Sequence, residues 1–167
     1  MKLRTALCAT LVALSLTSIA SAQNVEVKDA WARATVQGQK ATGAFMTLTS
    51  KTTAKLVGAT SSVAGVTEVH EMKMDNGVMK MKAVEGGLEL PAGKATSLKP
   101  GGYHVMLMDL KLPLQKDTTI PLTLVFKDAK GVESKMELKV PVAQTAPGGG
   151  ADMGGHQHGD MASKPKQ

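Results

Sequence analysis

The stretch HEMKMDNGVMKMK, residues 70–82, decides the fold class because it carries the signature of a tight β-hairpin. Asn76-Gly77 stands between two alternating runs, and this dipeptide favours a two-residue type I′ turn. With these two residues as the loop, Asp75 pairs with Val78, and the pairing continues outward from there. Side chains that lie directly opposite share a face of the sheet. The register therefore predicts one hairpin face that carries His70, Met72, Met74, Met79 and Met81.

Short alternating runs continue on both sides of this hairpin. They are rich in Val, Leu, Ile, Thr and Met, and they occur at 25–36, 43–50, 54–62, 103–110, 119–126 and 132–142. Turn sequences such as Pro100-Gly101-Gly102 separate them. No stretch sustains a helical period, so the sequence predicts a single all-β domain, a sandwich or barrel, over residues 23–144.

A second run, GGYHVMLMDL at 101–110, also alternates histidine and methionine. In a strand, His104, Met106 and Met108 share one face. Such a face is often hydrophobic core, because Met fills irregular space well. The alternative is a metal site, because imidazole and thioether form a soft donor set that suits Cu(I). Six of the ten methionines beyond residue 22 fall between His70 and Met108, which favours copper over core packing.

The first 22 residues read as a secretory signal peptide. Lys2 and Arg4 form a basic start, an apolar run follows, and Ala20-Ser21-Ala22 is a small-residue cleavage site. We therefore expect a mature protein that begins near Gln23, lies in the periplasm and does not insert into the membrane. A lipid anchor on Cys8 is disfavoured, because this residue comes before the apolar run is established.

Composition excludes several functions. Cys8 is the only cysteine, so the mature chain has no disulfide, no thiolate ligand and no cysteine nucleophile. The net charge of +6 comes from scattered lysines rather than from a basic cluster. The four aromatic residues are Trp31, Phe45, Tyr103 and Phe126. Without stacking platforms or a dense basic stripe, the chain is not expected to bind nucleic acid.

The composition changes again after residue 144. Residues 145–167 are rich in Gly and poor in large apolar side chains, which predicts a disordered tail. This tail nevertheless contains two of the four histidines and two methionines. A plain linker has little need of them, although incidental histidines in a polar tail remain the alternative.

The spacing of the histidines and methionines resembles that of the periplasmic copper chaperone family PCu(A)C, also called DUF461. Ten residues separate His70 from Met81, as in the family signature. A further 22 residues precede His104-Val105-Met106, one more than the family usually has. We expect the extra residue in the segment 84–94, where it changes only local loop geometry. Flanking sequence segments such as DAWARAT and KPGGYHVMLMDL extend the resemblance over most of residues 25–142.

The resemblance implies a cupredoxin-like β-sandwich or barrel that binds Cu(I). Carried over residue by residue, the copper ligands are His70, Met81, His104 and Met106. Met108 is then expected to pack beneath the site. Met72, Met74 and Met79 are candidates for secondary contact or transfer, and core packing is the favoured role for any one of them.

The resemblance also implies delivery of copper to the Cu(A) centre of cytochrome c oxidase, together with a thioredoxin-like assembly protein. Some family members carry a His/Met-rich extension, and the tail sequence DMGGHQHGDM resembles it. The expected auxiliary ligands, for a second copper as Cu(I) or Cu(II), are Met153, His156, His158 and Met161.

Three rival functions were weighed. A blue-copper electron carrier needs a Cys thiolate beside two His, and the mature chain has none. An enzyme is not expected, because no nucleophile is accompanied by a base. A copper-buffering or resistance protein that stores copper uses the same ligands as a chaperone, so this alternative stays open.

Overall fold

The computed structural model describes residues 24–147, and over this range the chain forms ten β-strands and no helix. The strands are β1 (Val25–Arg33), β2 (Ala41–Ser50), β3 (Ala54–Thr60), β4 (Val66–Asp75), β5 (Val78–Ala83), β6 (Leu88–Leu90), β7 (Ala95–Leu98), β8 (Tyr103–Met108), β9 (Thr119–Asp128) and β10 (Glu133–Ala143). The prediction of an all-β domain is confirmed. The proposed signal peptide and most of the tail lie outside the described residues.

The β4–β5 hairpin has the register that its sequence predicts. Asp75 pairs with Val78, Met72 with Met81, and His70 with Ala83. Asn76 and Gly77 have φ values of 50° and 79°. A type I′ turn requires positive φ at both central residues, which Asn and Gly tolerate better than other residues do.

The ten strands form one curled sheet that folds over on itself. Hydrogen-bonded neighbours follow the order β5-β4-β8-β7-β2-β1-β10-β9-β3-β6, and β8 also pairs with β2. The two halves join through a short parallel pairing of β1 with β10, at Ala32 with Val142 and Arg33 with Ala143. The sheet therefore packs as a cupredoxin-like sandwich, with one half against the other.

The hydrophobic core lies between the two halves. Val105 and Leu107 of β8 contribute from one half, and Leu56 and Leu124 contribute from the other, all fully buried. Because side chains alternate along a strand, residues 104, 106 and 108 of β8 face away from this core. The histidine and methionine column is thus on the outer face of its half of the sheet.

A β-bulge in β1 builds a small aromatic layer on this same outer face. The register shifts between Lys28 and Trp31, and Asp29 has a φ of 52°. The extra residue reverses the alternation, so Trp31 leaves the core face and pairs with Phe45. Their ring centroids lie 4.7 Å apart, and Arg33 lies 5.6 Å over the Phe45 ring. The regular alternation expected through residues 25–36 was wrong at this bulge.

Two strands were not predicted from the sequence. β6 and β7 lie in the segment rich in Gly and Pro before β8, where a loop was expected. β6 pairs with β3 and buries Leu88 and Leu90, whereas β7 pairs with β2. Three or four residues with weak β propensity give little local signal, so the neighbouring strands decide their conformation.

Candidate metal centre

Two buried histidines lie directly opposite one another on β4 and β8. The register pairs His70 with His104. Their rings are 6.0 Å apart between centroids and stand nearly edge to face, at 65°. They are 9% and 5% exposed. Histidine is polar, so two of them buried side by side on an outer sheet face indicate a functional cluster rather than ordinary packing.

His104 is held by the turn that precedes its strand and by the aromatic layer. Its Nδ1 lies 3.0 Å from the carbonyl oxygen of Gly102, and a carbonyl can only accept. Nδ1 therefore carries the ring hydrogen and donates the hydrogen bond to this carbonyl. In the neutral ring, Nε2 then keeps a free lone pair. The ring also lies against Phe45, with centroids 6.3 Å apart.

His70 is held through the other ring nitrogen. Its Nε2 lies 2.9 Å from Oε2 of Glu68, two residues earlier on β4. Its Nδ1 is buried and has no hydrogen-bond partner. A buried polar atom without a partner is rare in a folded protein and needs an explanation.

A cleft of about 310 Å³ opens beside these rings. Its wall includes His104 together with three thioethers, from Met72, Met81 and Met106. Met72 lies opposite Met81 in the hairpin, and Met106 lies opposite Gly43 of β2. Three of the four residues expected as ligands thus share one cavity. His70 is not part of its wall and lies against His104.

The hairpin methionines do not belong to the core. Met74, Met79 and Met81 are 61%, 45% and 46% exposed, and Met72 is half-buried. Core packing, favoured above for Met72, Met74 and Met79 individually, was therefore wrong. The hairpin extends beyond the core, so its Met face has no opposing layer to pack against.

Met108 is half-buried on the same outer face, one alternation beyond Met106. It lies opposite Ala41 of β2 and Val66 of β4, and the cleft wall does not include it. Met108 therefore lies beside the cleft, at its β2/β4 edge.

Other metal chemistries have little support in the described part of the chain. Over residues 24–147, no three His, Cys, Asp or Glu side chains gather in a group that would hold a metal ion. The tail residues Met153, His156, His158 and Met161 fall outside this range.

Within residues 24–147, no helix is long and apolar enough to cross a membrane.

Comparison with known proteins identifies the domain. The family profile described as "Putative lipoprotein LpqE-like" matches residues 25–142. The chain belongs to the LpqE-like family. A relative from Leifsonia xyli subsp. xyli, named "Putative lipoprotein Lxx21020", is 40% identical over 121 residues, which cover 72% of this chain and 70% of the relative.

Solved structures agree with the LpqE-like assignment. The Cu(I) form of DR1885 from Deinococcus radiodurans is 32% identical to this chain and gives a TM-score of 0.56. The match covers 75% of this chain and 83% of DR1885. The copper-bound PCuAC domain of PmoF2 is 21% identical, covers 74% and 94% of the two chains, and gives a TM-score of 0.57. The second likeness shows the fold alone. The resemblance to PCu(A)C domains is confirmed.

The LpqE-like domain also contains functional neighbours that were not expected from its sequence. Glu68 contacts His70, and Phe45 and Arg33 form part of the cleft wall. Alternation along β4 places Glu68 on the face of His70, so this signal was present in the sequence. Phe45 and Arg33 carried no such signal, because the pairings of β2 with β8 and of β1 with β2 bring them there.

Proposed function

We propose that this LpqE-like protein is a periplasmic copper chaperone. It binds one Cu(I) through His70, Met81, His104 and Met106, and it passes the ion to another protein. The observation that carries the proposal is the pair of buried, facing histidines beside a cleft lined by thioethers. Support also comes from DR1885, which is 32% identical and was solved with Cu(I).

The donor set suits monovalent copper. Thioether sulfur and neutral imidazole are soft ligands, and Cu(I) prefers such ligands over carboxylate or water. Each histidine already uses one ring nitrogen in a hydrogen bond, and the other nitrogen remains available. A set of two thioethers and two imidazoles carries no charge of its own, so the bound ion keeps its positive charge.

The uneven burial of the ligands favours transfer over permanent storage. Both histidines are buried, whereas Met81 is 46% exposed at the cleft mouth. An acceptor protein can displace an exposed, neutral thioether first and take the ion by ligand exchange. This role requires no catalytic group, so the proposal describes a carrier and not an enzyme.

By family resemblance, the acceptor is the Cu(A) subunit of cytochrome c oxidase, with a thioredoxin-like assembly protein as a second partner. The alternative is a periplasmic buffering or resistance protein that stores copper. Growth of a deletion strain discriminates the two. Loss of oxidase assembly with normal copper tolerance supports delivery, and copper sensitivity with normal oxidase supports storage.

Location outside the cytoplasm follows from the proposed signal peptide at residues 1–22. The LpqE-like family name refers to lipoproteins, which are also exported proteins. A site without cysteine suits that compartment, because thiols tend to oxidise there.

The tail is proposed as a second copper site built from Met153, His156, His158 and Met161. The chain leaves β10 at Ala143, which pairs with Arg33, and Arg33 lines the cleft. Nine residues lie between Ala143 and Met153, and a Gly-rich chain of that length spans roughly 15–18 Å. A tether of this reach gives a local ligand concentration on the order of millimolar. The tail can therefore collect copper and pass it to the domain.

X-ray absorption on the copper-loaded protein tests the proposed domain site. A chain that lacks residues 146–167 should bind one copper ion, and its absorption spectrum should show both sulfur and nitrogen scattering. The full chain should bind two copper ions. Scattering from nitrogen and oxygen alone would contradict the His/Met site. Two copper ions on the truncated chain would move the second site to Met72, Met74 and Met79.

A further inference from the structure

The two buried histidines are fixed through different ring nitrogens. A metal-binding histidine uses one nitrogen for the ion, and a hydrogen bond at the other sets its tautomer and orientation. His104 donates from Nδ1 to the Gly102 carbonyl, and His70 donates from Nε2 to the Glu68 carboxylate. The nitrogen left for a metal is therefore Nε2 in His104 and Nδ1 in His70.

The unpartnered Nδ1 of His70 makes this assignment specific. This atom is buried in a side chain that is only 11% exposed, and it has no hydrogen-bond partner. Leaving a buried polar atom unpaired costs about 1–3 kcal/mol. A soft cation bound at Nδ1 would satisfy that atom and leave the hydrogen bond to Glu68 intact. Binding at Nε2 would break this hydrogen bond and bury an Nδ1–H group without an acceptor.

Glu68 is well placed to hold the His70 ring with Nδ1 free for a metal ion. It precedes His70 by one alternation on β4 and lies opposite Met106 of β8, on the face that carries the histidines. Its side chain is 47% exposed, so water solvates the rest of the carboxylate.

We propose that Glu68 is a positioning residue that directs the metal ion to Nδ1 of His70, while His104 binds through Nε2. The inference rests on the proposed Cu(I) site. Glu68 itself does not touch the ion. It holds the His70 ring in the Nε2–H tautomer before copper arrives, so the site needs less rearrangement on binding.

The first test uses the metal-free protein. Nitrogen-15 NMR of the imidazole rings, at a pH where both rings are neutral, should show Nε2–H for His70 and Nδ1–H for His104. Glu68→Gln keeps the shape but offers both a donor and an acceptor, so His70 should become a tautomer mixture while His104 stays unchanged. Glu71→Gln is the matched control, since this neighbouring carboxylate lies opposite Tyr103 on the other face. An Nδ1–H tautomer for His70 in the unaltered protein, or no change in Glu68→Gln, overturns the proposal.

The second test adds Ag(I), a soft monovalent ion that stands in for Cu(I). Coupling to silver should appear at Nδ1 of His70 and Nε2 of His104. Coupling at Nε2 of His70 would overturn the role of Glu68 and leave the site standing. No coupling at either ring would contradict the proposed site itself. Glu68→Gln should also weaken Cu(I) binding about 10–100-fold, the loss typical for such hydrogen-bond partners, whereas Glu71→Gln should not.

Discussion

Met106 and Met108 carry the same side chain one alternation apart on β8, but only Met106 lines the cleft. Position relative to the cavity, and not residue type, therefore separates a proposed ligand from a neighbour. Two buried histidines and three thioethers supply more soft donors than one Cu(I) requires. Met72 is the donor that stands outside the proposed ligand set, and it faces Met81 across the hairpin.

Met106→Leu should weaken Cu(I) binding by at least about tenfold, because a ligand is lost, and tenfold corresponds to about 1.4 kcal/mol. Met-to-Leu exchange conserves volume, so the free energy of unfolding should fall by less than about 1.5 kcal/mol. Met108→Leu is the control and should bind normally. Competition with a Cu(I) chelator measures both. Equal affinities would remove Met106 from the ligand set.

Gly43→Ala should disturb the wall of the cleft. A Cβ at this position would lie 2.7 Å from Cζ of Phe45, a buried residue whose ring also neighbours Trp31 and Arg33. Overpacking of this kind costs about 1–3 kcal/mol. Gly58→Ala is the control, since its nearest neighbour atoms lie 3.9 Å or more away. Urea unfolding compares the two, and equal stability would show that the Phe45 ring yields without cost.

At the scale of elements, a hairpin and a bulge place the side chains of the site. The hairpin aligns Met72 with Met81, and the bulge at Asp29 turns Trp31 outward onto Phe45. β8 is held in place by its parallel contact with β7 and by its ladder with β2. No single element contains the site, because its residues come from β4, β5 and β8 and its wall from β1 and β2.

Gly77→Ala should destabilise the hairpin by about 1–2 kcal/mol, the cost of left-handed backbone for a residue with a Cβ. Gly77 has a φ of 79°, and no atom lies within 4 Å of the added methyl, so strain rather than collision is tested. Asn76→Gly is the control, because Gly-Gly also favours a type I′ turn. Hydrogen exchange of the β4–β5 amides measures local opening. Unchanged exchange in Gly77→Ala would show that the turn accepts a side chain.

At the scale of the whole molecule, the curled sheet separates stability from function. The core lies between the halves, and the histidine and methionine face lies outside one of them. Changes in the site can therefore be made with little loss of core packing. The proposed signal peptide lies at one end of the chain and the proposed second copper site at the other. Both are proposals about residues outside the described range.

Export should give a mature protein that begins near Gln23, found by N-terminal sequencing of the periplasmic fraction. Cys8→Ser should not change its amount or location, because Cys8 precedes the apolar run and is removed with the signal. Ala22→Arg is the contrasting variant and should block cleavage. A membrane-bound product whose retention is lost in Cys8→Ser would show a lipid anchor instead, as the relatives' names suggest.

The local features of this protein could be predicted from its sequence alone. Asn76-Gly77 and the alternation around it gave the hairpin register, because turn geometry and side-chain period act over a few residues. The intervals from His70 to Met106 pointed to the PCu(A)C resemblance and, through it, to the proposed ligands. Composition excluded thiolate chemistry, since the one cysteine lies in the proposed signal.

Which face of each strand became the outside depended on long-range packing. Burial depends on which strands pair and what the sheet half packs against, and neither is encoded within one strand. The exposed hairpin methionines, the outward Trp31, the short strands β6 and β7, and the contact of Phe45 with His104 all follow from those long-range pairings. The free nitrogen on each histidine was decided at the same level, because it depends on what the folded chain places beside each ring.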